Sequence, residues 1–483
     1  MNPRLIGKII GGALEAEAGF MLLPIACAYC YSESMKPFLI PMAVAAGLGF
    51  FLIKFSDHDQ DLVSKEGFMS TGLTWIALSL VGMLPFIISG AITNPVEAFF
   101  ETVSGFTTTG ATILTDVEAV PHSVLMWRSF LHWIGGMGIL VFMAAIMHFA
   151  SGSQINLVKA ESTGPIVSKL VPKAGGTAKV LYAIYTFMTA IVLTILLLLR
   201  MPLFDAICLT FGAAGTGGFG VLNDSVASYT IAQQAVLNIA SISFGVSFTI
   251  YFLILVGKPL TAFKNEELRA YLIIIITASL LITIDLIHQS GIAETGNPLM
   301  VFHRASFAVG NIITTTGSAI EDCNVWPKFS QGILMLLMIC GACAGSTGGG
   351  FKVSRIIIML KAFNKEMAVH LRPEIVKKIH MDGKPVNDTV IRNIGTYCFL
   401  GCFIMVISIL LVSLDGKDWI DTISAVLATF NNVGPGFGIN GTMGNYHEYS
   451  TFSKIVLSAD MLIGRLEIYP ILALFKRDTW RKF

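Results

Sequence analysis

Charge is scarce in this chain. Asp, Glu, Lys and Arg make up 13% of its 483 residues, while 54% are hydrophobic. A soluble domain carries about 25% charged residues, so the deficit excludes an ordinary water-soluble fold. The two signs nearly cancel, 32 basic against 31 acidic, which leaves no basic footprint for a nucleic acid. Cysteine is sparse too. Most of the eight lie in apolar stretches, and only Cys27, Cys30 and Cys323 fall near an outer membrane face. That distribution excludes a disulfide framework, and Cys340-x-x-Cys343 reads as close packing of small residues rather than a metal site.

Catalytic constellations are equally missing. Ionisable residues inside the apolar stretches are few (Glu15, Glu17, Asp285, Asp460, Arg465, Glu467) and form no His/Glu or Ser/His/Asp arrangement, so the chain is not expected to be an enzyme. Residues 215–220 satisfy G-x-G-x-x-G but lack the strand that must precede a dinucleotide loop. Residues 345–352 lack the Gly-Lys-Ser/Thr order of a P-loop, and His132 beside Trp133 reads as a packing or interfacial residue.

What the chain has in plenty is apolar length. A hydrocarbon core of about 30 Å needs about 20 helical residues. Ten runs near 9–29, 38–55, 68–89, 124–148, 180–200, 230–257, 270–288, 329–363, 390–414 and 449–475 meet that need. The first could be read as a signal peptide, but a retained helical hairpin is expected, since Glu15 and Glu17 interrupt it and a second run follows closely. Alternating the ten from a cytoplasmic N-terminus puts 23 of the 32 Lys and Arg inside, eight of them between Arg355 and Arg392. The basic tail Lys476, Arg477, Arg481, Lys482 joins them, so both termini are expected in the cytoplasm. The exceptions are Lys36, Arg128, Arg200, Arg304, Lys328, Lys352, Lys417, Lys454 and Arg465.

Within these runs one unit recurs four times: membrane helix, short helix, glycine loop, membrane helix. The short helices are expected at 95–106, 202–213, 298–313 and 418–430, too short to span, and three begin at proline, which suits a first helical turn. The loops are Thr107, Thr108, Thr109 and Gly110; Ala214, Gly215, Thr216 and Gly217; Thr314, Thr315, Thr316 and Gly317; Asn431, Asn432, Val433 and Gly434. Irregular backbone at membrane depth is tolerated only where protein or water surrounds it, so the loops should share one aqueous path. Four short helices with their C-terminal ends pointing inward favour a cation there. Glycine permits the φ values that align carbonyls into rings, as in potassium filters. Close packing of small residues could explain one such loop, but not four at near-equal spacing.

With SGFTTTGAT (104–112), HWIGGMGI (132–139), GTGGFG (215–220), ITTTGSA (313–319), CAGSTGGGFKVSR (343–355), NNVGPGFG (431–438) and MLIGRLE (461–467), the chain resembles the membrane subunit of the Trk/Ktr/HKT superfamily of potassium uptake systems, of the TrkH type. The resemblance covers essentially the whole chain. It implies an all-α integral membrane fold: a pseudo-fourfold ring of helix–pore helix–helix repeats after an N-terminal two-helix unit. The units are expected at 1–60 (two-helix unit), 61–155, 156–262, 263–365 and 366–483 (pore repeats one to four). It also implies the inner membrane of a bacterium, lipid as surroundings, a homodimer, and a cytoplasmic nucleotide-binding regulatory subunit of the TrkA/KtrA kind. By the same resemblance potassium is expected as the transported ion at the sixteen loop residues, with no covalent cofactor. Glycine at all four loop positions favours potassium over sodium, and one glycine per loop implies modest selectivity. The second loop departs most, with Ala214 and Gly215 where two others have threonine, and the fourth has Asn431 and Asn432.

Residues 344–352 interrupt the eighth run with Gly345, Ser346, Thr347, Gly348, Gly349, Gly350 and Lys352. Each glycine costs a helix about 1 kcal/mol against alanine, so a mid-membrane loop is expected, and the resemblance sets it under the filter as a gate. Arg465 lies inside the last run, where a charge should face protein or water. Its expected partners are Asp460, Glu467 or carbonyls of the glycine loop, the plainer reading being an ion pair near the interface. At about 8 Å from a passing cation it would add a barrier of about 2 kcal/mol at an effective dielectric of about 20. The rival to a gated pore is a sodium- or proton-coupled symporter of potassium or another solute. Inverted repeats would suit that fold, whereas these four units run in the same orientation. The basic segment from Arg355 to Arg392 either docks a regulatory protein or obeys the orientation rule.

Overall fold

The computed structural model describes residues 3–55, 64–149, 174–290, 297–374 and 378–480. Helix dominates, as lipid demands of a backbone that must satisfy its own polar groups. The N-terminal unit is Pro3–Phe20 running on through Met21 into Leu22–Cys30, then Lys36–Lys54 packed back along it. Gly11 and Gly49 face each other there, and a side chain on either would meet the other's carbonyl. Six helices of the described residues are long and apolar enough to cross a membrane, and a bent pair makes a seventh.

The four short helices are Pro95–Phe106, Leu203–Gly215, Pro298–Ile313 and Trp419–Phe430. Asn94 and Asn297 cap the first and third, accepting from the N–H groups of Val96 and Leu299 at 3.0 Å each, with proline next in line. Each lies between a long helix before it (Ser64–Gly82, Ala174–Leu198, Glu266–Ser290, Asp388–Val412) and an inner helix after it. The first inner helix, His122–Phe149, is unbroken.

The other three inner helices are not. The second bends by 89° between Ile231–Phe244 and Phe248–Leu255. The third is Lys328–Cys340 and Val353–Leu371, separated by the expected loop. The fourth stops at Arg465 and resumes at Tyr469, with Glu467 and Ile468 both at positive φ. The runs expected at 230–257 and 449–475 are therefore broken, where the sequence suggested single spans. The boundary expected at 365/366 falls inside Val353–Leu371, because that helix continues past its apolar part into a polar stretch. The boundaries at 60/61 and 155/156, and Arg481 and Lys482 of the tail, lie outside the described residues.

Beyond Val353–Leu371 a two-strand hairpin, His380–Met381 with Lys384–Pro385, rests on the start of Glu266–Ser290. Asp382 accepts from Glu266 N at 2.7 Å and from Asn265 Nδ2 at 2.9 Å, and Lys361 pairs with Glu266.

Candidate functional site

All four short helices end in the same way. The N–H groups of Thr108, Thr216, Thr315 and Asn432 reach back three residues to Gly105, Ala213, Ile312 and Thr429 at 3.0–3.2 Å. Those of Thr109, Gly217, Thr316 and Val433 reach back five, to Ser104, Gly212, Asn311 and Ala428 at 2.7–2.9 Å. This pair of bonds is a Schellman cap, whose left-handed position is usually glycine. Here that position holds Thr108, Thr216, Thr315 and Asn432 at φ between +53° and +59°. A β-branched residue there costs about 1–3 kcal/mol, so three threonines are held against their own preference.

Two residues further on, Gly110, Gly218, Gly317 and Gly434 also take positive φ, from +75° to +94°. A side chain on Gly110 would run into the carbonyl of Gly217, one on Gly218 into Thr316, one on Gly317 into Val433, and one on Gly434 into Thr109. Each loop thus touches the next in chain order, and the fourth returns to the first. The ring is closed.

This geometry corrects the second loop by one residue. Gly218, not Gly217, stands beside Gly110, Gly317 and Gly434, and Ala214 lies within the last turn of its helix. Gly217 instead backs onto the ring of His132. Thr216 then shares a level with Thr108 and Thr315, so the second loop keeps a hydroxyl at that level despite Ala214 and Gly215. Thr107 and Thr109 share a hydrogen bond at 2.7 Å, and Thr314 and Thr316 repeat it at 2.8 Å. Asn432 Nδ2 donates to Thr109 Oγ1 at 3.0 Å and to Met461 O at 2.9 Å, joining the fourth loop to the first.

The four positive-φ glycines line one vestibule of about 100 Å³, together with Arg128 and Tyr446. Its collar is tied at every junction. Asn223 accepts from Val117 N at 2.7 Å; Val226 N donates to Ala319 O at 3.1 Å; Asn324 and Gly438 exchange two bonds at 2.8 and 3.0 Å; Tyr446 N donates to Thr112 O at 2.8 Å. At the first junction the amide of Asn223, with the N–H groups of Ala119 and Glu118, holds the Asp116 carboxyl below its usual range.

Behind the first loop, a buried pair absent from the sequence reading braces the ring. Arg128 Nε donates to Glu101 at 2.6 Å and Nη1 to Gly220 O at 3.0 Å, with the guanidinium 3.5 Å from the Phe219 ring centre. Glu101 also accepts from Ile113 N at 2.9 Å and Thr112 Oγ1 at 3.0 Å. His132 joins loops one and two, through Gly105 O at 2.9 Å and Phe219 N at 3.3 Å. The signal available for these was charge or histidine inside an otherwise apolar helix.

Beneath the ring lies the segment 341–352. Gly349 N donates to Thr315 Oγ1 at 2.6 Å. A side chain on Gly348 would meet Thr314 O at 2.8 Å, and one on Gly349 would meet Asn431 O at 2.5 Å. Thr347 Oγ1 donates to Phe244 O at 3.2 Å and lies 3.4 Å from Thr216 Oγ1. The bend of the second inner helix and this segment complete each other: Phe248 N donates to Gly345 O and Cys343 N to Gly245 O, both at 3.0 Å. Two breaks at membrane depth thereby satisfy one another's backbone. Ser346 closes on Cys343 O at 2.6 Å, Lys352 Nζ folds back onto Gly348 O, and Gly350 and Lys352 both take positive φ.

Arg465 spans the layer from the fourth unit. Its Nη1 donates to Thr347 O at 2.7 Å and its Nη2 to Gly135 O at 3.2 Å. Of its three expected partners the loop carbonyl is the one found. Asp460 binds Ser408 at 2.7 Å, and Glu467 pairs with Arg355 at 2.9 Å. Among the described residues no group of three or more His, Cys, Asp or Glu could hold a metal ion, and every described cysteine is free.

A family model described as "TrkH: Cation transport protein" matches residues 33–481. The chain is 32% identical to the Trk system potassium uptake protein TrkH of Salmonella typhimurium, and 31% identical to that of Escherichia coli K12, each over 100% of both chains. The crystal structure of the potassium transporter TrkH from Vibrio parahaemolyticus covers 100% of both chains at 29% identity, with a TM-score of 0.89.

Proposed function

Because the chain belongs to the TrkH family of cation transport proteins, a family of transporters and not of enzymes, we propose that it takes up potassium across the cytoplasmic membrane of a bacterium. The closed ring of Gly110, Gly218, Gly317 and Gly434 around one vestibule carries this reading. In it, the backbone oxygens of the four loops replace the ion's water shell, and the inward C-terminal ends of four helices favour a cation. Thr107–Gly110, Gly215–Gly218, Thr314–Gly317 and Asn431–Gly434 are the four walls.

Segment 341–352 is the gate in this proposal. It sits in contact with the lower edge of three loops, and Arg465 pins it to Gly135 O. Opening then requires the Arg465 bonds and the Gly349–Thr315 bond to break together. The coupled-symporter reading has less support, since the loops meet in one ring instead of two halves facing each other. A homodimer, and a nucleotide-binding subunit on the face opposite the vestibule that carries Lys361, Lys365 and Arg372, complete the proposed system, with both termini on that face.

Cation flux into liposomes holding the purified protein tests the filter. Potassium and rubidium should pass in preference to sodium, and Gly110→Ser and Gly218→Ser should both erode that preference. Equal potassium-to-sodium ratios in parent and both variants would sink the reading.

A further inference from the structure

Three of the four glycine carbonyls at the vestibule floor receive no hydrogen bond among the described residues: those of Gly110, Gly218 and Gly317. The fourth does. Tyr446 Oη donates to Gly434 O at 2.7 Å, and its other neighbour, Asn440 Nδ2 at 3.3 Å, is itself a donor. A phenol has one proton and a carbonyl only accepts, so the proton lies on the Gly434 side. The phenol is held from behind. Tyr446 is 2% exposed, its ring centre is 5.5 Å from that of Phe100 and 5.6 Å from that of Tyr449, and its N–H is committed to Thr112 O at 2.8 Å. Gly434 also departs from its equivalents in backbone angle, φ +94° against +75° to +80°, and Pro435 follows it.

We propose that Tyr446 is a positioning residue that sets the cation affinity of the outermost carbonyl layer. Its hydroxyl fixes the direction of Gly434 O and occupies lone-pair density that would otherwise face a cation. That layer then presents three oxygens at full strength and one weakened. This inference rests on the reading of the four loops as a cation path. Its consequence is a shallow outer site, and conduction needs sites weak enough to release what they bind.

The test is rubidium uptake into proteoliposomes, with KM and Vmax resolved separately and sodium as competitor. Tyr446→Phe removes the proton and keeps the ring. KM for rubidium should fall about threefold to tenfold, the range of one hydrogen bond, without a rise in Vmax. Replacement of Tyr446 by 3-fluorotyrosine, a stronger donor, should raise KM. A merely structural role would lower Vmax and melting temperature and leave KM in place. Unchanged KM in both variants, in a preparation whose Gly110→Ser form loses potassium preference, overturns the Tyr446 proposal alone. Unchanged selectivity in Gly110→Ser overturns the path reading beneath it. Should Tyr446→Phe fail to fold, the fluorotyrosine arm decides: a raised KM supports the proposal, an unchanged one overturns it.

Discussion

The layer of the four glycines and the layer directly beneath it obey opposite rules. In the upper layer three different loop sequences, Thr-Thr-Thr-Gly occurring twice, adopt one backbone: the same two capping bonds, the same left-handed position, the same positive-φ glycine two places later. In the lower layer the four inner helices meet the same obstacle, the end of a pore helix, and solve it differently. Gly135 and Gly464 let helices one and four pass against the carbonyls of Phe106 and Phe430. Helix two bends by 89°, and helix three gives way to residues 341–352. On the proposed reading, backbone geometry is repeated where an ion would meet equal walls, and it diverges where one wall would move and the others would hold it.

The largest effect is expected where the lower layer holds. Gly135→Ala and Gly464→Ala each place a methyl group into a backbone carbonyl that belongs to the ring's support. Backbone cannot rotate aside as a side chain does, so the cost should exceed the about 1–3 kcal/mol usual for overpacking. Both variants should lose most monodisperse protein in size exclusion, while Gly12→Ala, with open space around it, should behave as the parent. Parent-like melting of Gly135→Ala would break the idea that these two positions are rigid supports.

An intermediate effect is expected at the pin. Arg465→Ala removes the bonds to Thr347 O and Gly135 O and, on the proposed reading, the cation beside the path. A barrier of about 2 kcal/mol corresponds to about thirtyfold in flux, so potassium flux in liposomes should rise by about that factor with selectivity kept. Loss of selectivity without added flux would mean that the arginine supports the upper layer rather than closing the lower one.

How far the sequence led differs between the two layers for a physical reason. Helices 95–106 and 298–313 were legible to the residue because Asn-Pro marks their starts and Thr-Thr-Thr-Gly their ends. The second loop was misread because Gly215, Gly217 and Gly218 all tolerate positive φ; only the back-reaching bond of Gly217 to Gly212 fixes the register. The loop at 341–352 was visible from its glycine density. The bend after Phe244 was not, since Gly245-Val246-Ser247 breaks a helix only because the third unit supplies partners for its freed backbone. At the turn of Glu467 and Ile468, Glu467 likewise pairs with Arg355, far away in sequence. Arg465 announced itself as a charge in an apolar run, but Gly135 O as its second partner belongs to the fold.

The smallest expected effect separates the layers at a single level of the path. Thr108 and Thr315 occupy the same left-handed capping position, yet Thr108 Oγ1 has no hydrogen-bond partner among the described residues while Thr315 Oγ1 accepts from Gly349 N at 2.6 Å. Valine keeps the branched shape, and hence the backbone strain, and removes only the hydroxyl. Thr315→Val should therefore loosen the proposed gate by about 1 kcal/mol, roughly fivefold in open probability, whereas Thr108→Val should leave gating as it was. Single-channel recordings of the two variants side by side would show the difference. Equal behaviour would mean that the hydroxyls serve the ion at this level and the bond to Gly349 is incidental. Unequal behaviour would mean that one position in a symmetric ring has been drawn into the asymmetric layer below.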